Sequence, residues 1–357
     1  MAIKLLLTLL IGTLGGLIFC RLKVPAGMLV GAIFAVSALS VATPYALMPT
    51  SAKIAAQIIT GAYIGSTISK RDILHLPRIM GPYLMLMSGF FVLNILSGLL
   101  IYKLSPLDLL TALLCAMPGG VSDTPLIAMD MGADAAKVAL LQFVRLVFGI
   151  GALPLLIVAM NRMADKRQHG ENGQQANENA PPPRAAVPRP EHATTALTMT
   201  LIAATVGGLI GKWFGIPAGA LVFSMLVTTV FKMVYSETYL PLWCRRVAQV
   251  LSGCCIGSQM TYHDVIEMRY LILPAVILIV GYFANCVFMG YLLHRCFKIP
   301  RVEAMLSVSP AGATEMALIS ADLGVNSPDL IVLQVCRFVG VMILFPQLIS
   351  LLLTLVR

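Results

Sequence analysis

Met117-Pro118-Gly119-Gly120-Val121-Ser122-Asp123-Thr124 is a small, polar, helix-breaking run inside an otherwise apolar stretch. A second run, Ser309-Pro310-Ala311-Gly312-Ala313-Thr314-Glu315-Met316, lies 192 residues further along the chain. Pro118 matches Pro310, Gly120 matches Gly312, Ser122 matches Thr314 and Asp123 matches Glu315. Proline removes a backbone donor and glycine costs backbone entropy, so each run interrupts a helix. Backbone that leaves the helix at membrane depth is tolerated only inside protein or beside a water-filled cavity. A carboxylate at such a place marks a functional site by default.

The surroundings are membrane-like. Of 357 residues, 58% are hydrophobic and only 11% charged, with a mean hydropathy of +0.88. A soluble domain carries about 25% charge, and apolar runs of about 18 residues recur along most of this chain. The net charge of +9 falls in short loops between apolar runs, the pattern of cytoplasmic loops rather than of a nucleic-acid-binding surface. The first apolar run, Ile3 to Phe19, lacks a cleavage-site pattern and is followed by Arg21 and Lys23. It reads as a first transmembrane helix, not a cleaved leader. The eight cysteines have no metal spacing and imply no disulfide. The five histidines lie in loops or at span ends, and no phosphate-binding or nucleophile motif stands out. The expectation is therefore no enzyme, no metal and no cofactor.

Candidate spans in the first half are about 3–20, 26–43, 52–69, 79–103 and 136–160. In the second half they are about 197–214, 218–234, 244–261, 270–294 and 328–356. The breaks lie in the segments 106–134 and 301–326. Domain bounds are 1–160 and 196–357, with a polar, proline-rich linker at 161–195 that cannot bury a core and reads as disordered and cytoplasmic. The halves repeat each other. Gly15-Gly16-Leu17-Ile18 matches Gly207-Gly208-Leu209-Ile210, and Pro25-Ala26-Gly27 matches Pro217-Ala218-Gly219. Gln142 and Arg145 match Gln334 and Arg337. The fourth span alone needs a slip of one to pair Asn94 with Asn285.

Basic residues alternate from loop to loop within each half, and the two halves alternate in opposite phase. Arg21 and Lys23 face Lys212 alone, and Lys103 alone faces Arg295, Lys298 and Arg301. Opposite phase predicts inverted topology. Inversion needs an odd number of crossings per half, so each broken segment is expected to enter and leave on one side. With arms of about 11–14 residues, or roughly 16–21 Å of helix, each reaches mid-membrane and returns. The predicted fold is all-α and polytopic: two inverted repeats, each of five transmembrane helices plus one re-entrant hairpin. Both termini are expected outside. A twelve-crossing arrangement is the alternative, and it leaves Arg21, Lys23, Lys70, Arg71 and Arg78 on the wrong side.

The hairpin breaks Pro118, Gly119, Gly120, Pro310 and Gly312 would present Ser122, Asp123, Thr124, Thr314 and Glu315. The carboxylates could bind a coupling cation, exchange a proton or orient a cationic substrate. Alternatively each caps its second helical arm. Arg145 and Arg337 lie about ten residues into the last span of each half and must have partners, because arginine does not deprotonate. They either capture a substrate carboxylate or pair with hairpin acids: Asp123 or Asp130 for Arg145, Glu315 or Asp322 for Arg337. Gln142 and Gln334 share their helical faces and would meet the same partners. Asn94 and Asn285 are mid-span amides that either bridge helices or face the cavity. Gly132 and Gly324 read as helix C-terminal glycines. Gln57 and Gln249, among small residues at spacing four, suggest close helix packing.

These paired blocks, Pro118 to Asp123 through Arg145 and Pro310 to Glu315 through Arg337, resemble the duplicated membrane module of the bacterial AbrB family. The resemblance covers nearly everything but the linker. It implies a multi-pass protein of the bacterial cytoplasmic membrane, variously described as a regulator of aidB expression, an ammonia monooxygenase or a transporter. A monooxygenase would need metal ligands that the sequence lacks. The expected function is a secondary transporter of a small polar solute, an organic anion in the first reading, coupled to H+ or Na+ at the two hairpin tips. The alternative is a membrane sensor that affects gene expression indirectly. Expected partners are the bilayer, the solute and the coupling cation, with no nucleic acid; a homodimer is compatible with this reading.

Overall fold

In the computed structural model, the described residues are 2–43, 45–68, 70–153, 156–157, 193–235, 238–310 and 328–356. Among them the regular structure is helical throughout, with no strand. In the first half α1 is Ala2–Arg21, α2 Gly27–Ala42, α3 Thr50–Thr67, α4 Lys70–Leu104, α5 Leu109–Ala116, α6 Thr124–Met131 and α7 Ala135–Ile150. In the second, α8 is Ala193–Trp213, α9 Gly219–Val234, α10 Leu242–Gly257, α11 Tyr262–Glu267, α12 Ile272–Phe297, α13 Arg301–Val308 and α14 Pro328–Val356. A 3-10 turn, Met268–Leu271, joins α11 to α12. Among the described residues, five stretches are long and apolar enough to cross a membrane, within α1, α4, α8, the α11–α12 stretch and α14. The 16-residue helices α2 and α9 are apolar but shorter, at about 24 Å each. The linker up to residue 192 and the second break from Ala311 to Asn326 lie outside the described residues; residues 193–195, expected in the linker, already belong to α8.

The helices pack in two groups. In the first, α1 lies on α2 and α8 on α9, while α2 packs on α10 and α9 on α3. Each half thus lends its second helix to the other half's third. Small residues allow these contacts: Gly253 and Gly257 of α10 sit against Leu29, Ala32 and Ile33 of α2, and Gly61 and Gly65 of α3 sit against Leu221, Met225 and Thr228 of α9. Without a hydrophobic drive between helices in lipid, such close backbone approach supplies the dispersion that holds them. The second group contains α4, α5, α6, α7, α12, α13 and α14, around a core that includes Phe90, Tyr282 and Phe345.

The register between α4 and α12 is informative. Gly81 meets Phe297, Gly89 meets Met289, and Gly281 meets Leu93 and Ser97. These equivalent helices of the two halves cross antiparallel. Gly98 packs on Leu113 just as Gly290 packs on Met305, so the offset of 192 runs through the fourth span without interruption. The slip of one is therefore a correction to the sequence reading. The counterpart of Asn94 is Cys286, not Asn285: Asn94 Nδ2 donates to Leu113 O at 2.8 Å and Cys286 Sγ to Met305 O at 3.2 Å. One residue is about 100° of helix, so Asn285 points to another face.

The first broken segment folds back on itself. Asp108 caps α5 by accepting from Thr111 N. At the other end Gly132 is left-handed, with φ 78°, and its N–H bonds to Ala128 O. That is the glycine-ended helix expected of this position. Asp134 then caps α7, accepting from Ala136 N and Lys137 N. Asp134 N donates to Thr111 Oγ1 at 3.1 Å, which ties the exit of the segment to its entrance. The helical arms are 8 residues each, about 12 Å. They are shorter than expected because the Pro-Gly-Gly run and the capping residues lie outside helix.

Candidate functional site

The end of α5 poses a problem of backbone chemistry. The last four carbonyls of any helix lack intrahelical partners, and here Met117 and the residues around it are buried. Gln142 and Arg145, both buried on one face of α7, solve it. Gln142 Nε2 lies 3.2 Å from Leu114 O, 3.4 Å from Cys115 O and 2.9 Å from Met117 O. Arg145 donates to Met117 O at 3.1 Å and also to Gly119 O. Tyr282 Oη covers the remaining carbonyl, Ala116 O, at 3.0 Å.

The second half repeats much of this clamp. Gln334 Nε2 donates to Leu306 O at 2.7 Å and to Ser307 O at 3.2 Å. Arg337 donates to Ser307 O and Ser309 O. The guanidiniums also cross between halves. Arg145 lies over the ring of Tyr282 at 5.8 Å and Arg337 over Phe90 at 5.3 Å. Those two rings face each other with centroids 6.5 Å apart. Cation–π attraction of this kind strengthens when the pair is desolvated. Gln142 and Arg145 thus share partners as expected, but the partners of Arg145 among the described residues are neither a substrate-like space nor Asp123 or Asp130. They are the ends of a broken helix.

Asp130 is held elsewhere, by Lys53 Nζ at 2.7 Å and Gln57 Nε2 at 2.6 Å. Gln57 also reaches Leu126 O. Its counterpart Gln249 reaches Ser122 Oγ at 3.4 Å. The second arm of the hairpin is thereby gripped from α3 at its middle and from α10 at its tip.

Asp123 is the outlier. It stands at the N-cap position of α6, yet its side chain makes no capping bond, and its backbone is helical, φ −97° and ψ −43°, where a capping residue is normally extended. It is only 6% exposed. The carboxylate folds back into the space left by Gly120, beside Phe338 of α14. Among the described residues it has no hydrogen-bond donor and no ion pair within 4.0 Å. The positive charge that bears on it is Arg245, which is itself stacked over Tyr63 at 5.4 Å. Thr124 Oγ1 is buried next to it without a hydrogen-bond partner.

Of the other predicted residues, Asn94 is a buried bridge from α4 to α5. Asn285 keeps a buried Nδ2 with no partner. Pro118, Gly119 and Gly120 form the break, and Pro310 is buried at the end of the second first-arm. Gly312, Thr314 and Glu315 lie outside the described residues. Sequence reasoning overlooked Tyr282, Phe90, Lys53 and Arg245. Phe90 and Tyr282 are aromatic at the repeat offset of 192, and that signal could have found them.

A family model described as "Transition state regulatory protein AbrB" matches residues 1–93 and 80–353. The chain is 26% identical over 336 residues to "Putative regulator AbrB" of Escherichia coli (strain K12), covering 92% of this chain and 91% of that protein. It is 27% identical over 263 residues to "Uncharacterized protein YhjN" of Bacillus subtilis (strain 168), covering 71% of this chain and 66% of that one.

Proposed function

The chain belongs to the AbrB family, and from that premise we propose that it is a cation-coupled secondary transporter of a small polar solute, not an enzyme. One observation carries this reading: Asp123 is a buried carboxylate at a helix break that neither caps its helix nor pairs within salt-bridge distance. A carboxylate stripped of water without compensation is costly. A proton or a small cation bound there removes that cost. Ser122 and Thr124 add hydroxyl oxygens beside it. Because Arg145 turns both terminal nitrogens to Met117 O and Gly119 O, a solute anion would be balanced by the cation on Asp123 rather than by that bidentate face of the arginine.

The proposed architecture is a pair of inverted repeats with two re-entrant hairpins. Its support is the antiparallel crossing of α4 and α12, the bond between the two ends of the first hairpin and the opposed charge phase of the loops. Lys137 at the base of that hairpin pairs with Glu267 at the end of α11 at 2.6 Å, and inverted topology assigns both to one membrane face. Both termini would lie outside and the linker in the cytoplasm of a bacterial inner-membrane protein.

The test is ion-dependent uptake into proteoliposomes. Asp123→Asn is expected to abolish coupling to the H+ or Na+ gradient while the protein remains monodisperse. Unchanged coupling in that variant would defeat the proposal. The printed name of the Escherichia coli relative favours a second reading, a sensor acting on gene expression. A sensor would bind a ligand without moving it across the membrane.

A further inference from the structure

A cavity of about 330 Å³ lies between α2, α7 and the α11–α12 junction, backed by a small apolar cluster that includes Val121 of the first break. Its wall on α2 is the stripe Val30, Ile33, Phe34, Ser37, Ala38, Val41 and Ala42, one helical face at spacing three and four. Across it stand Ala136, Ala139, Leu140 and Phe143 of α7. The floor belongs to the packing of Leu29 and Ile33 with Phe143 and Leu146.

The shape and chemistry restrict the occupant. From Val30 to Ala42 the slot follows α2 for about 18 Å, slightly more than the half-thickness of a bilayer core of about 30 Å. A compact solute would not need such a length. The lining is apolar except for Ser37, whose hydroxyl already donates to Met260 Sδ at 2.8 Å. Nothing in the wall could orient a polar molecule. Phe34 is half exposed at the edge, so the slot is open along its side, where a chain that spans a membrane meets hydrocarbon. Met268 is part of the lining. The next residue, Arg269, is exposed and lies over Tyr270 at 4.7 Å, and interfacial tyrosine and arginine mark headgroup depth.

We propose that this slot holds one acyl chain of a membrane phospholipid, its phosphate near Arg269. The chain would fill the seam where α2 of the first helix group meets α7 of the second. This inference does not depend on the transport reading.

The test uses the full chain in vesicles of phosphatidylethanolamine and phosphatidylglycerol doped with a phospholipid carrying a photoreactive diazirine on one acyl tail. Labelling is expected to concentrate on Phe34, Leu140, Phe143 and Met268, above the level at Leu6 and Leu10, exposed residues of α1. Ala38→Phe with Ala42→Phe should fill the slot, removing label from Leu140 and Phe143 while Leu6 and Leu10 keep theirs. Even labelling of all exposed apolar residues would overturn the proposal, as would slot labelling that survives the double substitution. If the double variant does not fold, Ala38→Leu alone serves, with a proportionate drop expected and no drop counting against the slot. A free fatty acid probe that labels the slot more strongly than the phospholipid would overturn the assigned source.

Discussion

The helices that lead into the two breaks, α5 and α13, are the same length and end on similar clamps, yet among the described residues they are not held alike. Gln142 and Arg145 grip α5 as Gln334 and Arg337 grip α13. Beyond that clamp, the first arm has further bonds. Asn94 bonds its backbone through an amide where the second half offers the thiol of Cys286, a weaker donor. Tyr282 covers Ala116 O, where the equivalent ring in the other half, Phe90, carries no hydroxyl. Asp108 caps α5 through its side chain, whereas Pro300 at the start of α13 makes no such bond. The clamp is what any broken helix at membrane depth requires. The additions differentiate α5 from α13 among the described residues.

That contrast can be broken most severely at the clamp. Arg145→Leu strands the buried Gly119 O, while Met117 O keeps Gln142 as a donor, and should cost about 1–3 kcal/mol for the one unsatisfied group. Arg337→Leu should cost a similar amount. Thermal unfolding in detergent would check both, and a benign substitution at either site would show that the clamp is not needed there. Next, Asn94→Ala should destabilise by about 1–2 kcal/mol, and Cys286→Ala by less than half of that. Equal losses would remove the asymmetry. Tyr282→Phe should cost about 1 kcal/mol and raise hydrogen exchange at the end of α5. Phe90→Tyr offers a hydroxyl to the second arm and should slow exchange in α13. The smallest effect concerns a feature the halves share. Ala26 and Ala218 are both left-handed, φ 52° and 57°, a conformation that costs a residue with a side chain roughly 1 kcal/mol. Ala26→Gly and Ala218→Gly should each raise the unfolding midpoint slightly.

Much of the fold was legible because membrane helices announce themselves by composition and the chain is a duplicate. The span positions match the helices to within a few residues in most places. Gly132 ends α6 as its context indicated, because few residues other than glycine tolerate φ 78°. The misplaced pairing of Asn94 with Asn285 shows where letters mislead: identical residues one step apart look like an alignment slip, but they face different neighbours. Only the packing of Gly98 on Leu113 and Gly290 on Met305 exposes that.

The site was legible as a set of residues and not as a set of roles. Buried charges in an apolar chain are conspicuous, so Asp123, Arg145 and Arg337 stood out from the sequence alone. Sequence proximity then favoured pairing the acids with the arginines, and Arg145 does not follow it. A guanidinium has several donors and a broken helix end has several orphan acceptors, so Arg145 went to the carbonyls and Asp123 was left without it. The sequence by itself determined that the chain is a duplicated helical membrane protein with a carboxylate at each break, because composition, period and repeat are local properties. Which charge meets which partner was decided by the tertiary structure alone, because that depends on helix faces and directions brought together from residues 26 or more positions apart.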